Sequence, residues 1–334
     1  MKEKIGTLIY NPHAGFGSWR ETMRKVADLW HYHGWDIILQ PTQRAHHATQ
    51  LAKEAAAAGQ TLVLAAGGDG TLNEVANGLA HTETILGLLP VGTGNSFARE
   101  LRLPPPNLFE PYKLLEASEM LLAGNVQKMD LGYSHNGRYW LLWAGTGADG
   151  YVIEHVEPRS KLFKRIGRAG YAAKALFFLP GFAGIHATIT IDNQPPITDE
   201  FLLINISNCR LFGGGEFTLN ATGVLDDGLF EVWLFRGGDW PTLELMRYIL
   251  EVGLENHVNN PRVDLIRAKK VTITAVPPTA FHVDAEPSGK TPFTCQIHPQ
   301  ALQLLVPPTA PAGLFQEPPI PLTAMFESGQ ATTD

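Results

Sequence analysis

The sequence predicts an α/β domain followed by an all-β domain: a parallel sheet flanked by helices, then an antiparallel β-sandwich. Three observations predict it. Short apolar runs alternate with helical spacings over roughly the first 100 residues. A glycine-rich string, Gly67-Gly68-Asp69-Gly70-Thr71, stands where one of those runs passes into a helical pattern. After Asp130 the character changes, and β-type runs are spaced by Gly, Asn and Pro turns.

Thr7-Leu8-Ile9-Tyr10 reads as the first strand and ends in the loop Asn11-Pro12-His13-Ala14-Gly15. Met23, Val26, Ala27 and Trp30 follow at helical spacing, with Gly34 at the C′ position. Trp35–Leu39 is a second strand, and Ala48–Ala58 an alanine-rich helix closed by Gly59. Thr61–Ala66 is a short buried strand, and beyond the glycine string Val75, Ala76, Leu79 and Ala80 mark a helix. Ile85–Leu89 is the next strand and runs into Pro90-Val91-Gly92-Thr93-Gly94-Asn95. In parallel sheets ligands bind at the carboxyl ends of strands, where these glycine loops fall. The second domain is read from Tyr139–Ala144, Ala187–Ile191, Phe201–Ile206, Leu229–Phe235, Val271–Ala275 and Leu302–Val306. Helix candidates at Ala169–Leu179 and Pro241–Val252 interrupt it. The expected domains are residues 1–132 and 133–306, and the proline-rich stretch from Pro307 to 334 is expected to be disordered.

With 334 residues, 44% hydrophobic and 18% charged, the chain has the composition of an ordinary globular protein of two domains. Its net charge of −7 argues against a nucleic-acid partner. Cys209 and Cys295 are the only cysteines and have no CxxC spacing, which excludes a disulfide framework and suits a reducing cytoplasm. No signal-peptide pattern opens the chain and no apolar run reaches membrane-spanning length, so membrane contact is expected to be peripheral.

Glycines at a strand-to-helix junction let the backbone approach a ligand, and the N–H groups of the helix start form a ready phosphate site. The string has no lysine, so it is not a Walker A loop. Asp69 would repel a bare phosphate; it makes sense working through Mg²⁺ or holding the loop by hydrogen bonds. The plainer reading is a glycine-rich turn without a ligand. Asp284 and Glu286 stand two apart in a strand-like stretch, which predicts that they share a face. Paired carboxylates there raise one pKa or invite a cation, although a solvated strand end gives the same letters.

Gly67-Gly68-Asp69-Gly70-Thr71 resembles the GGDGT signature shared by diacylglycerol kinases, sphingosine kinases, NAD kinases and phosphofructokinases. The continuation Asn73-Glu74-Val75 is most similar to the lipid-kinase branch. An ordered series extends the resemblance to bacterial diacylglycerol kinase-like lipid kinases over residues 5–306. It comprises Asn11-Pro12 to Gly15, Gly92 to Arg99, Gly145 to Asp149, Gly213 to Gly215, Asp226 to Leu229 and Val283 to Glu286. The resemblance implies a Rossmann-like ATP domain, a β-sandwich that closes over it and bears the lipid site, and Mg²⁺ as cofactor. Thr42, Gly67, Gly68, Asp69, Gly70, Thr71, Leu72, Asn73, Thr93 and Asn95 would contact the nucleotide, with Asp69 counted as catalytic. Asp284 or Glu286 would take the proton from the acceptor hydroxyl. Asp227, with Val224 and Leu229 through main chain, would hold a structural Mg²⁺. Two departures stand out: Ser96 where many relatives have Asp, and Ala285 where glycine is usual.

Two further strings are coincidental. Gly145-x-Gly147-x-x-Gly150 fits a dinucleotide fingerprint, but no acid lies between Pro158 and Ile191 for the ribose and Tyr151-Val152-Ile153 is a poor helix start. Gly289-Lys290-Thr291 lacks the upstream glycine of a P-loop, since that position is Asp284. Arg159, Lys161, Lys164, Arg165, Arg168 and Lys174 form a run of bases without an acid, read either as a solvated face or as a surface drawn to anionic lipid. The expected activity is ATP-dependent phosphorylation of a diacylglycerol-like lipid at a membrane surface. A sphingoid or other glycerolipid kinase, a NAD kinase-like enzyme and an inactive lipid- or nucleotide-binding regulator are the alternatives. A homodimer is left open.

Overall fold

In the computed structural model, which describes residues 3–15, 19–106, 110–156 and 181–327, the chain forms two units. One comprises Met1–Asp130 with Gln300–Asp334, the other Leu131–Pro299.

The first unit runs β1 (Ile5–Tyr10), α1 (Arg20–Tyr32), β2 (Asp36–Pro41), α2 (His47–Ala57), β3 (Leu62–Gly67), α3 (Asp69–Leu79), β4 (Ile85–Pro90), α4 (Ser96–Glu100) and α5 (Lys113–Leu122), then enters β5 (Asn125–Ser134). β1 pairs in parallel with β2 and β3, and β3 with β4, giving the order 2-1-3-4. A further parallel strand comes from the far end of the chain, where Gln303 and Leu304 lie opposite Ile85 and Leu86. Every residue of β3 and β4 is buried, as expected of strands covered on both faces. α1 buries Met23, Val26 and Trp30 from one side, and the Trp30 indole donates to Ser118 Oγ on α5 at 2.7 Å.

The second unit continues with β6 (Arg138–Trp140), β7 (Trp143–Gly147), α6 (Ala148–Val156), β8 (Ile185–Ile191), β9 (Ile197–Ser207), the ribbon β10 (Leu211–Phe212) and β11 (Phe217–Thr218), and β12 (Phe230–Arg236). Then come α7 (Pro241–Gly253), β13 (Val263–Ala268), β14 (Lys270–Ala275), β15 (Ala280–Val283), β16 (Glu286–Lys290) and β17 (Phe293–Val306). It is an antiparallel sandwich. The first half of β9 pairs with β8 and the second half with β7 and β12, so one strand serves both layers. Phe201, Ile204, Phe230, Val232 and Trp233 are buried in its core, and Trp140 stacks on Phe230 with centroids 5.0 Å apart. Tyr139–Ala144, read as one strand, breaks after Trp140. The N–H groups of Leu141 and Leu142 leave the ladder for the carboxylate of Asp284, at 3.1 and 2.9 Å. Pro241 opens α7 as expected, while the candidate Ala169–Leu179 and the basic run 159–174 lie outside the described residues.

From Pro307, where composition predicts disorder, the chain instead folds along the first unit as far as it is described. β18 (Ile320–Pro321) pairs with Val126 and Asn125, and α8 (Ala324–Glu327) follows. Leu314 and Leu322 are buried, and Phe326 meets Trp35 edge-on at 5.2 Å. Proline content concealed the spaced apolar side chains that anchor this segment. By spatial grouping the first unit takes the chain back from Gln300, inside β17. Among the described residues, no helix is long and apolar enough to cross a membrane.

Candidate active site

The first unit carries its glycine loops at the carboxyl ends of neighbouring strands. Asn11 follows β1 and donates to the Ala66 carbonyl of β3 at 3.1 Å; Val91 and Gly92 follow β4 and donate to the Gly67 carbonyl at 3.0 and 3.2 Å. Thr42 follows β2 and donates to the Tyr10 carbonyl at 2.8 Å. Backbone meets backbone here. A Cβ on Gly92 would stand 2.4 Å from the Gly68 Cα, and one on Gly15 would stand 2.1 Å from the Val91 carbonyl oxygen. No side chain fits either place, which is the physical reason for glycine at both.

α3 begins at Asp69, and its first turn precedes the bond from Leu72 N–H to the Gly68 carbonyl at 3.1 Å. The amides of Gly70 and Thr71 therefore have no intrahelical carbonyl and sit at the positive end of the helix. Gly70 is exposed and Thr71 half-buried, whereas Leu72 and Asn73 are buried. Thr93 is half-buried in the loop after β4. Asn95, at φ 56°, closes that loop: it accepts from Gly92 N–H at 3.0 Å and donates to the Gly92 carbonyl at 2.7 Å.

Asp69 joins the two loops. Its Oδ2 accepts the Ser96 N–H at 3.0 Å and its Oδ1 the Phe97 N–H at 3.3 Å, at the start of α4. Burial pushes its carboxyl above the usual range, against the pull of those N–H groups and of the Ser96 hydroxyl. Of the two roles the sequence left for Asp69, the contacts match the hydrogen-bonding one. Ser96, the departure noted above, is the neutral partner of this acid. Glu74 plays a similar part next door, its two oxygens accepting the His46 and Ala48 N–H groups at 2.9 and 3.1 Å at the start of α2.

In the second unit Asp284 and Glu286 do not share a strand face. Asp284 and Ala285 have φ of 49° and 59°, so they form the two-residue turn between β15 and β16. Period-two alternation holds only within a strand, and the turn separates the two acids. Asp284 is buried and accepts three backbone N–H groups, from Leu141, Leu142 and Trp143 at 3.1, 2.9 and 3.3 Å. Burial pushes its carboxyl up to about 6, and those N–H groups and Arg138 pull against the rise. Glu286 is exposed and pairs with Arg138 at 2.7 Å. Arg138 thus lies within reach of both acids; nothing in the sequence around it marked it out.

Behind this hairpin, the fully buried His282 bonds Asp149 at 2.8 Å. Asp149 reaches across β7 only because residue 145 is glycine: a Cβ there would stand 2.4 Å from its Oδ2. The string Gly145 to Gly150 does run from strand to helix, contrary to the poor helix start read there. Yet β7 has only antiparallel neighbours, β9 and β15, so the parallel unit a dinucleotide site needs is missing.

Asp227 is a poor fit to the expected Mg²⁺ site. Its side chain is ion-paired with Arg267, and its Oδ1 accepts the Leu229 N–H at 3.0 Å. The charge that would draw a cation is already balanced. Val224 and Leu229 flank it half-buried, and among the described residues no group of three or more His, Cys, Asp or Glu is assembled for a metal. Glu231, missed in the sequence, lies on the same guanidinium at 3.7 Å; burial pushes its carboxyl up to about 7.

Two family models match successive parts of the chain. Residues 6–134 match the diacylglycerol kinase catalytic domain, and residues 143–306 the YegS C-terminal NAD kinase beta sandwich-like domain. The chain is 30% identical to a diacylglycerol kinase of Bacillus subtilis (strain 168) over 291 residues, covering 86% of this chain and 92% of that protein. It is also 30% identical to a diacylglycerol kinase of Staphylococcus carnosus (strain TM300) over 292 residues, 86% of this chain and 90% of the relative. A crystal structure of a diacylglycerol kinase from Bacillus anthracis str. Sterne superposes with a TM-score of 0.68 at 23% identity, covering 93% of this chain and 100% of that one, a likeness of fold. With glycine loops at the strand ends of one unit, a sandwich in the other and this likeness along most of its length, the chain belongs to the bacterial diacylglycerol kinase-like family of lipid kinases.

Proposed function

We propose that the protein transfers the γ-phosphate of ATP to the hydroxyl of a diacylglycerol-like lipid, giving phosphatidic acid and ADP. The observation that carries the acceptor class is the 30% identity to the Bacillus subtilis diacylglycerol kinase across 92% of its length. The nucleotide half of the reaction is assigned to the first unit. Thr42, Gly67 to Asn73, Thr93 and Asn95 are its contacts, and the amides of Gly70 and Thr71 receive phosphate oxygens. Leu72 and Asn73, being buried, act through their backbone. Asp69 holds the two loops in register so that these donors are fixed before the nucleotide arrives, which is where a phosphoryl-transfer enzyme gains most. Mg²⁺, when bound, would supply charge neutralisation to the phosphates, and no step is assigned to Asp227.

The acceptor half is assigned to the second unit, with Asp284 as the base. A carboxyl titrating at about 6 is ionised at neutral pH yet more basic than an ordinary aspartate. Glu286, held by Arg138, orients the same turn. The substrate is met at the inner face of a membrane from the cytoplasm. The six bases of residues 159–174 favour anionic headgroups, at about 1 kcal/mol each near the surface.

The test is transfer of labelled γ-phosphate into vesicles carrying diacylglycerol, ceramide, a sphingoid base or monoacylglycerol, with NAD in a separate arm. Labelled phosphatidic acid from wild type, lost in Asp284→Asn, is expected. Label in another acceptor, with diacylglycerol untouched, would sink the assignment.

A further inference from the structure

Within the second unit β15, β7, β9 and β12 lie side by side, and His282, Gly145, Asn205 and Trp233 stand opposite one another in a single row. Residues directly opposite on antiparallel neighbours share a face of the sheet. On the reverse face the adjacent row is hydrocarbon, made of Val283, Ala144, Ile206 and Val232. The row through Gly145 is buried as deeply, with His282, Asn205 and Trp233 no more than 1% exposed, yet it is polar. Its polar atoms are also unbonded. Among the described residues, both side-chain polar atoms of Asn205, Nε1 of Trp233 and Nδ1 of His282 are buried without a hydrogen-bond partner. Buried polar groups nearly always have one, so several orphans in one row mark a place built for polar atoms that the chain does not supply. The flanking rows lack this deficit: Leu203 and Phe235 in one are apolar, and Ser207 in the other donates to the Cys209 carbonyl at 2.9 Å.

The atoms on offer define the ligand. Trp233 can only donate, while Asn205 donates from its amide nitrogen and accepts at its oxygen. The carboxylate beside the row is already committed: Asp149 Oδ2 bonds His282 at 2.8 Å, and its Oδ1 accepts the Gly150 N–H at 2.7 Å. A buried ammonium would find no charge to pair with here, whereas ester carbonyls would find N–H donors. His282 stands two residues before Asp284, the proposed base. We propose that this row is the specificity-determining subsite for the acceptor. Asn205 Nδ2 and Trp233 Nε1 donate to the ester carbonyls of an uncharged acylglycerol, and His282, its ring fixed by Asp149, lies at the hydroxyl end. The inference rests on the second unit being the acceptor half of a lipid kinase, and it names an acyl ester rather than a sphingoid base as the group recognised.

Calorimetric titration of the full chain with dioctanoylglycerol and with its dioctyl ether analogue, without nucleotide, tests the subsite apart from catalysis. The ether keeps the hydroxyl and the chains but lacks both carbonyls. Wild type should bind the ester at least about tenfold more tightly, because the ether leaves the donors unpaired. Asn205→Leu and Trp233→Phe should bring the ester down to the affinity of the ether. Each replaces unbonded polar atoms by hydrocarbon of similar shape, so each variant should melt at or above the wild-type temperature. Wild type that binds the two lipids alike, or neither, assigns the row to ordered water and overturns the proposal. Variants that keep the preference overturn it, as do variants that lose both lipids equally, the mark of a packing role. Ester preference without transfer of label from ATP would refute the kinase reading and leave the subsite standing; transfer without the preference would do the reverse.

Discussion

Asp69 and Asp284 have carboxylates filled by backbone N–H groups and pushed upward by burial, yet they are expected to fail differently when changed. Asn at 69 keeps the size and loses the charge that holds two amides. Hydrogen bonds to a charged group contribute about 1.5–3 kcal/mol each, so the loop junction should loosen by a few kcal/mol and ATP affinity should drop at least about tenfold. Calorimetric titration with ATP checks this, and an unchanged affinity would show that Asp69 does not hold the nucleotide loop. Asp284 instead sets a pH dependence. Burial pushes its folded pKa up to about 6, above the ordinary aspartate value of 3.8. Its contribution to stability is thus complete below about 4 and is lost as pH rises through about 6, while the ionised form proposed as the base appears over the same interval. The rate should fall about tenfold per pH unit below about 6, an inflection kept by Glu286→Gln and abolished by Asp284→Asn. A wild-type profile flat down to pH 5 excludes Asp284 as the base. Much of this was legible in the letters: the glycines and Asp69 named both loop and acid. The relation of Asp284 to Glu286 was not, because Ala285 stands where glycine would have announced a turn.

At the scale of elements, strain and close approach decide the outcome. Ala285 holds a left-handed conformation that costs a residue with a Cβ about 1 kcal/mol relative to glycine. Ala285→Gly should therefore raise the melting midpoint by about 2–4 °C with little change in rate, as scanning calorimetry can read. Gly92→Ala should do the reverse. Its new methyl would meet the Gly68 backbone at 2.4 Å with no flexible side chain to yield. The β3 and β4 loops must separate, and saturable ATP binding should be lost while the circular dichroism of the sandwich persists. Parallel strands such as β3 and β4 were readable because they are apolar throughout. The break between β6 and β7 was not, since its cause is an acid 142 residues away from Leu142 in the chain.

Across the whole molecule, the first unit depends on both ends of the chain. Deleting residues 307–334 removes Leu314 and Leu322 from its core, and two buried leucines are worth about 3–6 kcal/mol together. Urea unfolding followed by tryptophan fluorescence, to which Trp30 and Trp35 of this unit contribute, should show that loss; a midpoint equal to wild type would mean that the segment contributes nothing. The domain order was visible in sequence because periodicity changes after Asp130. The return of the chain was not, since pairing between Gln303 and Ile85 leaves no mark on either segment. It does have a consequence in time. A ribosome releases β1 to β4 long before the strand that borders β4 exists, so the nucleotide unit begins first and finishes last. Until Gln303 and Leu304 emerge, the nascent chain carries an open parallel sheet edge through synthesis of the entire sandwich, and this interval is where a chaperone has most to protect.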